Sequence, residues 1–183
     1  MTYNIDICGL KRDLPICRLN DELAIGAFVI FGDVELTVHA AKELLKRAPE
    51  FDYLIAPEAK SIPLVYEMSK QSGIKYFLAR KKAKAYMTEP FEVKVQSITT
   101  AGEQSLFLDR TDADAMRGKR IAIVDDVIST GESLRAVEEL VNAAGGSIVA
   151  KLAILAEGDA YNREDLTVLA KLPLFKADGT PIL

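Results

Sequence analysis

The stretch RIAIVDDVISTGES, residues 120–133, decides the fold. Residues 120–124 are typical of a buried strand, and residues 130–144 repeat apolar side chains at helical spacing. Two consecutive glycines, Gly145 and Gly146, end that helix, and residues 148–155 form a second apolar run of strand length. A strand, a helix and a second strand in this order predict a βαβ unit with parallel strands and a right-handed crossover.

Similar units precede this one along the chain. Helical spacing predicts helices over residues 34–47 and 62–72, and short apolar runs predict strands over residues 53–56 and 76–79. We therefore expect an α/β fold with a doubly wound, mostly parallel sheet covered on both faces. Two segments do not follow this alternation. Residues 91–108 indicate a hairpin or flap, and residues 172–183 indicate an ordered tail without regular structure.

The length and the net charge of the chain limit the classes of protein to which it can belong. The 183 residues carry 23 Lys and Arg against 27 Asp and Glu, a net charge of −4, which argues against nucleic acid or a membrane surface as a partner. No repeat or linker divides the chain, so residues 1–183 are expected to form a single domain. The sequence lacks a signal peptide and a run long enough to span a bilayer, and a cytoplasmic protein is expected. Cys8 and Cys17 are interpreted as small buried hydrophobic residues.

The turn after the predicted strand carries the chemistry. Ser129, Thr130 and Ser133 supply hydroxyls, Gly131 allows the backbone amides to converge, and the helix directs its positive end to the same point. Such a turn can cradle a phosphate. The acid pair 125–126 precedes it, and two carboxylates suit a vicinal diol or a hard cation. The alternative is that the acids only start a turn and that Thr130 only caps a helix.

Other phosphate-binding and catalytic motifs are absent from the sequence. Neither GxGxxG nor GxxxxGK[ST] occurs, which argues against dinucleotide and Walker sites. His39 is the only histidine and lies in a predicted amphipathic helix, so we interpret it as structural rather than as a member of a catalytic triad.

Basic residues concentrate between residues 59 and 88. This segment holds seven Lys or Arg and one acid, Glu67, a local balance of +6. Lys60 and the cluster Arg80, Lys81 and Lys82 each directly follow a predicted strand, at the edge where the phosphate turn also opens. For the other basic residues a solvated charged face is the simpler interpretation.

The segment IAIVDDVISTGES, residues 121–133, resembles the signature of type I phosphoribosyltransferases, which bind 5-phosphoribosyl 1-pyrophosphate (PRPP). The resemblance implies a phosphoribosyltransferase fold with a small N-terminal hood, residues 1–33, and a flexible flap, residues 83–105. It also implies Mg²⁺ as cofactor and a ribose-binding role for Asp125 and Asp126, which are the catalytic candidates and possible metal contacts. The implied 5-phosphate ligands are Ser129, Thr130, Gly131, Glu132 and Ser133, with Glu132 standing where the family often has Gly.

Two further segments resemble the purine branch of this family. The loop Glu58-Ala59-Lys60-Ser61 is similar to the short pyrophosphate-binding loop, which implies that role for Ala59, Lys60 and Ser61. The cluster Arg80, Lys81 and Lys82 is similar to a segment that contacts the diphosphate, in some members across a homodimer interface. A homodimer is expected by this likeness alone.

The acceptor base is less clearly indicated. Residues 29–34 resemble a stretch of adenine phosphoribosyltransferases whose Phe stacks on the purine, which implies base contact for Phe31, although a core aromatic is an equal alternative. Glu157 falls in the base-binding stretch, and Gly158 stands where xanthine enzymes place a Lys, which favours adenine. Residues 96–99 instead resemble xanthine or archaeal hypoxanthine enzymes, and Thr100-Ala101-Gly102 replaces a Glu-Tyr-Gly of adenine enzymes. The alternatives are therefore a xanthine or hypoxanthine enzyme, or a non-enzymatic regulatory domain that senses PRPP.

Overall fold

A parallel sheet of five strands forms the centre of the protein. The computed structural model describes residues 1–96 and 103–182. The strands are β1 Thr2–Ile7, β2 Leu10–Arg18, β3 Leu23–Gly26, β4 Tyr53–Pro57, β5 Tyr76–Ala79, β6 Pro90–Gln96, β7 Glu103–Asp109, β8 Arg120–Ile128, β9 Ser147–Glu157, β10 Thr167–Leu172, β11 Leu174–Lys176 and β12 Pro181–Ile182. The helices are α1 Val34–Arg47, α2 Ile62–Ser72, α3 Arg110–Met116 and α4 Glu132–Ala143, with a 3₁₀ turn at Gly158–Asn162.

The strand order of the central sheet is β10-β9-β8-β4-β5, and every neighbouring pair is parallel. From β4 the chain moves outward to β5 on one side, and from β8 it moves outward to β9 and β10 on the other. The order therefore reverses between β4 and β8. In such sheets the crevice beyond the carboxyl ends of the strands at the reversal is the usual ligand site.

Alternate residues of the sheet pack into two separate hydrophobic cores, one on each face. Ala122 and Val124 of β8 pack with α1 and α2 on one face, whereas Ile121 and Ile123 pack with α3 and α4 on the other. Because successive side chains of a strand point to opposite faces, a strand buried on both faces must be apolar throughout. This confirms the predicted doubly wound α/β fold.

The predicted βαβ unit is confirmed as β8, α4 and β9, with corrections at the central turn. β8 continues to Ile128, so Asp125 and Asp126 belong to the strand and not to the turn that follows it. The helix begins at Glu132 rather than at Thr130, because Gly131 has a left-handed conformation with φ of 79°. A left-handed residue cannot continue a right-handed helix, and glycine adopts it without steric cost.

A second, antiparallel sheet forms the hood, with the order β1-β2-β3-β11-β12. The prediction that residues 172–183 lack regular structure is wrong, since β11 pairs with β3 and completes this sheet. Phe175 of β11 is fully buried and lies edge-on against Tyr3, with ring centroids 5.1 Å apart. A strand of three residues is too short to show an alternating pattern in the sequence.

The hood is attached to the core where α1 begins. Asp33 caps α1 by accepting a hydrogen bond from Leu36 N at 3.0 Å, and the guanidinium of Arg12 in β2 binds both Asp33 oxygens. The predicted hairpin is confirmed as β6 and β7, which pair antiparallel. The triplet Thr100-Ala101-Gly102 lies outside the described residues. In the described part of the chain no helix is long and apolar enough to cross a membrane.

Candidate active site

Two groups of predicted site residues, 58–61 and 125–133, lie where β4 and β8 end, at the reversal of the strand order. β4 leads into residues 58–61, and the peptide bond between Glu58 and Ala59 is cis. β8 leads into the turn 129–131 and then into α4. Two loops that lie about 70 residues apart in the sequence therefore meet at one edge, because parallel neighbouring strands end on the same side of a sheet.

Asp125 and Asp126 form a buried acid pair at this edge, with 7% and 4% of their surfaces exposed. Asp125 Oδ1 accepts a hydrogen bond from Asp126 N at 2.9 Å. Burial, followed by the neighbouring charge of Asp126, raises the pKa of Asp125 well above its ordinary range. Two carboxylates held this way favour any ligand that brings hydroxyl donors or positive charge to them.

Lys60 is the cation nearest to this pair. Its Nζ lies 3.3 Å from Asp126 Oδ2 and offsets part of the charge, but the geometry is not that of a hydrogen bond. Asp126 Oδ2 is therefore a buried oxygen without a hydrogen-bond partner. A buried acceptor left in this state is costly unless a ligand satisfies it.

Asp125 and Asp126 are also the candidate contacts for Mg²⁺, the cofactor implied by the resemblance. Within residues 1–96 and 103–182, no group of three or more His, Cys, Asp or Glu side chains is arranged to hold a metal. The free oxygen of Asp126 and the neighbouring carboxylate of Asp125 fit a hard cation that takes its remaining ligands from substrate oxygens and water. The site thus fits Mg²⁺ that arrives with a phosphorylated substrate, and does not form a metal cage by itself.

The predicted phosphate turn has the geometry of a cradle. Ser129, Thr130 and Ser133 are exposed, and Glu132 N donates to Thr130 Oγ1 at 3.4 Å. Gly131 is bordered by Arg163, since a Cβ added at position 131 would lie 2.8 Å from Arg163 Nη1. Hydroxyls and helix N-terminal amides provide donors for an anion, whereas the charge of Arg163 is offset by its bidentate pair with Asp165.

The two predicted diphosphate segments directly follow the neighbouring parallel strands β4 and β5. Ala59 and Lys60 are exposed, whereas Ser61 is buried and donates its hydroxyl to Pro57 O at 2.5 Å. Ser61 therefore offers no free hydroxyl proton in this arrangement. In the second segment Lys81 and Lys82 are exposed. Arg80 differs from them, because its Nη1 pairs with Glu58 Oε2 at 2.9 Å.

A cavity of about 380 Å³ opens between the hood and the carboxyl ends of β8, β9 and β10. Its lining residues come from the hood, from the ends of β8, β9 and β10, and from the loop after β4: Ile25, Gly26, Ala27, Phe28, Val29, Lys60, Val127, Ser129, Glu157 and Leu172. Burial raises the pKa of Glu157, and the charge of Lys60 partly opposes that rise. An apolar slot with a few polar groups is typical of a site for a flat heterocycle.

Phe31 is not brought to this cavity. It is 53% exposed, which removes the alternative of a core aromatic, and it is not among the lining residues. Phe28, Val29 and Val127 line the cavity instead. Sequence reasoning missed these three residues. Val127 could have been found from its position directly after the acid pair, but the hood residues could not, since their place depends on long-range strand pairing.

The remaining sequence interpretations concern His39 and the two cysteines. His39 Nε2 lies 2.9 Å from the carbonyl oxygen of Cys8, which is consistent with a structural role. Cys8 is half-buried but Cys17 is exposed, so the expectation of two buried cysteines is wrong for Cys17. β2 lies in the hood sheet, where one side of the strand faces solvent and leaves Cys17 uncovered.

Comparison with known proteins identifies the family. Residues 36–173 match the model of the phosphoribosyl transferase domain. The chain is 31% identical over 165 residues to an adenine phosphoribosyltransferase of Thermosipho africanus, covering 88% of this chain and 93% of that protein. It is 30% identical over 142 residues to a hypoxanthine/guanine phosphoribosyltransferase of Methanococcus voltae, covering 77% and 72%. An HGPRTase-like protein of Haloterrigena turkmenica is 37% identical over 109 residues, which are 60% of this chain, and the match spans about half (55%) of that protein's length.

Solved structures agree on the fold. An adenine phosphoribosyltransferase of Thermoanaerobacter pseudethanolicus superposes with a TM-score of 0.62 at 23% identity, covering 75% of this chain and 80% of that one. The enzyme of Giardia lamblia in complex with 9-deazaadenine gives a TM-score of 0.64 at 15% identity, with 93% of each chain covered. Together with the family match over residues 36–173, the buried acid pair and the phosphate turn place this chain in the phosphoribosyltransferase family of pentosyltransferases.

Proposed function

We propose that this protein transfers the 5-phosphoribosyl group of PRPP to a purine base, giving a nucleoside monophosphate and pyrophosphate for purine salvage. The observation that carries the proposal is the buried Asp125–Asp126 pair near the end of β8, directly before Val127 and Ser129, which line the hood cavity. A phosphate cradle, an acceptor pair suited to a diol and a cavity for a heterocycle thus lie at one edge of the sheet, where a nucleotide could place its phosphate, ribose and base.

Different groups of residues bind the 5-phosphate, the ribose and the diphosphate of the donor. The turn 129–133 binds the 5-phosphate through amides and hydroxyls, and Asp125 and Asp126 accept hydrogen bonds from the ribose hydroxyls. Ala59, Lys60 and Ser61, with the cluster 80–82, surround the diphosphate with main-chain donors and positive charge. Mg²⁺, when bound with the donor, supplies charge neutralisation for the diphosphate.

The reaction depends on positioning and electrostatics. As the bond from C1′ to the diphosphate oxygen breaks and the bond to the base nitrogen forms, positive charge develops on the ribose ring. The carboxylates at the ribose hydroxyls stabilise this charge, and the cations stabilise the negative charge on the leaving diphosphate. The flap, residues 83–105, is proposed to close over the site and to exclude water, which would otherwise hydrolyse the donor.

Adenine is the acceptor we favour. Gly158 supplies no cation to bind a 6-oxo group, and the carboxylate of Glu157 can accept a hydrogen bond from an amino group or a ring N–H. Within residues 1–96 and 103–182, Lys60 is the only cation that lines the cavity, and it already forms an ion pair with Asp126. A 6-oxopurine is the second candidate, because several relatives are named hypoxanthine/guanine phosphoribosyltransferases.

The test is nucleotide formation from PRPP and Mg²⁺ with adenine, hypoxanthine, guanine or xanthine in separate reactions. The highest kcat/KM is expected with adenine. A higher value with a 6-oxopurine would replace adenine by that base. Tight PRPP binding without turnover of any base would instead favour the regulatory, non-enzymatic alternative.

Base contacts are tested by two single variants. Glu157→Gln is expected to raise the KM for the base about tenfold, the cost of one hydrogen bond to a charged group, and to leave the KM for PRPP unchanged. Base stacking by Phe31 stays a prediction. A similar rise of the base KM in Phe31→Ala would support it, and an unchanged KM would assign the stacking to Phe28 or Val127.

A homodimer in the cytoplasm is also proposed. Val34, Val38 and Tyr66 are large, exposed and apolar, and they line a common groove between α1 and α2, which supports self-association. Sedimentation velocity at micromolar concentration tests this, with a dimer expected and a single monomeric species contradicting it.

A further inference from the structure

Glu58 is an acid at the centre of the cationic segments, and neither the phosphate turn nor the base cavity involves it. Its side chain is 15% exposed and lies at the end of β4, directly before Ala59 and Lys60. A carboxylate beside a diphosphate site would repel the ligand if it faced the ligand directly. Its contacts explain its presence.

Both oxygens of Glu58 are used by the neighbouring segment. Oε2 accepts from Arg80 Nη1 at 2.9 Å, and Oε1 accepts from the backbone N of Lys81 at 2.8 Å. Lys84 Nζ adds charge at 3.9 Å. Burial acts to raise the pKa of Glu58, but the hydrogen bonds from Lys81 and Arg80 outweigh it, so that the net pKa is lowered and the group is charged at neutral pH. A bidentate link of this kind fixes orientation as well as distance.

Arg80 extends the link to the hairpin. Its backbone N donates to Phe107 O at 2.9 Å, and Phe107 N donates to Arg80 O at 2.8 Å, which joins the end of β5 to β7. A continuous chain of contacts thus runs from the loop 58–61 through Glu58 and Arg80 to the hairpin.

We infer that Glu58 is a positioning residue that holds the loop 58–61 and the segment 80–82 in the relative geometry required to bind diphosphate. This inference rests on the proposed function and adds a division of labour within the cationic cluster. Arg80 is held by Glu58 and serves the scaffold, whereas Lys81 and Lys82 are exposed and provide the charge for the ligand. Glu58 acts through these groups and does not touch the diphosphate.

Pyrophosphate and ribose 5-phosphate are expected to occupy different parts of the site and can therefore be measured separately. Loss of the Glu58 link would misplace the diphosphate segments and leave the phosphate turn 129–133 intact. Inorganic pyrophosphate with Mg²⁺ should therefore bind more weakly, and ribose 5-phosphate should bind as before. A residue that only stabilised the fold would affect both ligands equally or neither.

Calorimetric titration of the full chain with each probe tests this, using Glu58→Ala and Glu58→Gln. Glu67→Gln is the matched control, because Glu67 is also a buried acid in an ion pair but its partners, Lys70 and Gln71, lie within α2. In Glu58→Ala the Kd for pyrophosphate is expected to rise about tenfold or more, as for a lost charged hydrogen bond, with the Kd for ribose 5-phosphate within about twofold. Glu58→Gln keeps an acceptor for Lys81 N and should show a smaller rise, and it serves if the Ala variant does not fold.

Equal changes for both probes, or no change for pyrophosphate in either variant, would overturn the inference. The proposed function is judged separately by turnover of the wild type and of Glu67→Gln. If the wild type binds both probes but transfers the phosphoribosyl group to no base, the proposed transferase activity is refuted. The positioning role of Glu58 is then still judged by the Kd values for pyrophosphate and ribose 5-phosphate. A wild type that binds no pyrophosphate would refute both.

Discussion

At the scale of single residues, the site is built from groups that are unfavourable without a ligand. Asp125 and Asp126 are buried side by side, and one oxygen of Asp126 has no hydrogen-bond partner. Buried like charges lower the stability of the unliganded protein and increase the affinity for a ligand that satisfies them. We expect a conflict between stability and function at these positions.

Asp125→Asn and Asp126→Asn test that conflict. Each variant replaces one carboxyl group of the buried pair by a neutral amide, so its melting temperature is expected to equal or exceed that of the wild type. Each also removes an acceptor at the ribose, so kcat/KM is expected to fall about 100-fold, or about 3 kcal/mol. Steady-state kinetics and thermal unfolding measure the two effects. Full activity in the double variant would show that the ribose assignment is wrong.

Gly131 is tested by Gly131→Ala. Its φ of 79° is unfavourable for a side chain, and the added Cβ would approach Arg163 Nη1 to 2.8 Å. Arg163 can move its flexible end away, so the backbone dominates, with a cost of about 1 kcal/mol and a distorted cradle. The KM for PRPP is expected to rise while the KM for the base changes little. Gly73→Ala, at a similar φ but far from the site, controls for the backbone cost. Equal kinetics in the two variants would count against the cradle.

At the scale of elements, Arg12 of β2 joins the hood to the start of α1 through ion pairs with Asp33 and with Glu35. Arg12 Nε lies 2.6 Å from Asp33 Oδ2, and the pKa of Asp33 is lowered from 3.8, first by its hydrogen bond with Arg12. Asp33 also caps α1. The Asp33 carboxylate thus caps α1 and also binds Arg12 of the hood sheet. The cap needs a hydrogen-bond acceptor, and the ion pair needs the charged form of the carboxylate.

Asp33→Asn separates the two roles, since Asn remains a good helix cap but loses the ion pair. We expect a loss of about 1 kcal/mol at pH 7. A carboxylate with a lowered folded-state pKa contributes stability above its unfolded value, and this contribution disappears as pH falls through the folded value. The difference between wild type and variant should therefore shrink below about pH 4. Urea unfolding at pH 7 and pH 3 measures it, and a constant difference would contradict the ion-pair explanation.

At the scale of the whole molecule, the two ends of the chain build one sheet. β3 and β11 are about 150 residues apart and pair with Leu174 opposite Ile25. Ile25 and Leu172 both line the base cavity. The cavity wall that is proposed to bind the base therefore depends on the pairing of β3 with β11.

Phe175→Ala tests the contribution of the C-terminal strand. Phe175 is fully buried against Tyr3, so its truncation is expected to cost about 3–5 kcal/mol. In protein that remains folded, the KM for the base should rise more than the KM for PRPP, because the hood contacts the base and the core contacts the donor. Chemical unfolding and steady-state kinetics measure these changes. A selective loss of PRPP binding would contradict this division.

The segment 120–155 by itself determined the βαβ unit, and its residues 125–133 determined the acid pair and the turn proposed to bind phosphate, because the strand, turn and helix signals lie close together in the sequence. The family match, residues 36–173, covers the same central sheet and leaves β1–β3, β11 and β12 outside. Only the tertiary structure decided that Phe28 and Val29 line the cavity and that Phe31 does not. The physical reason is the separation in sequence between the residues that form each site. A phosphate cradle is made by neighbours in sequence, whereas the base cavity is made by hood strands whose pairing joins the two ends of the chain, and short strands carry no local signal of their partner.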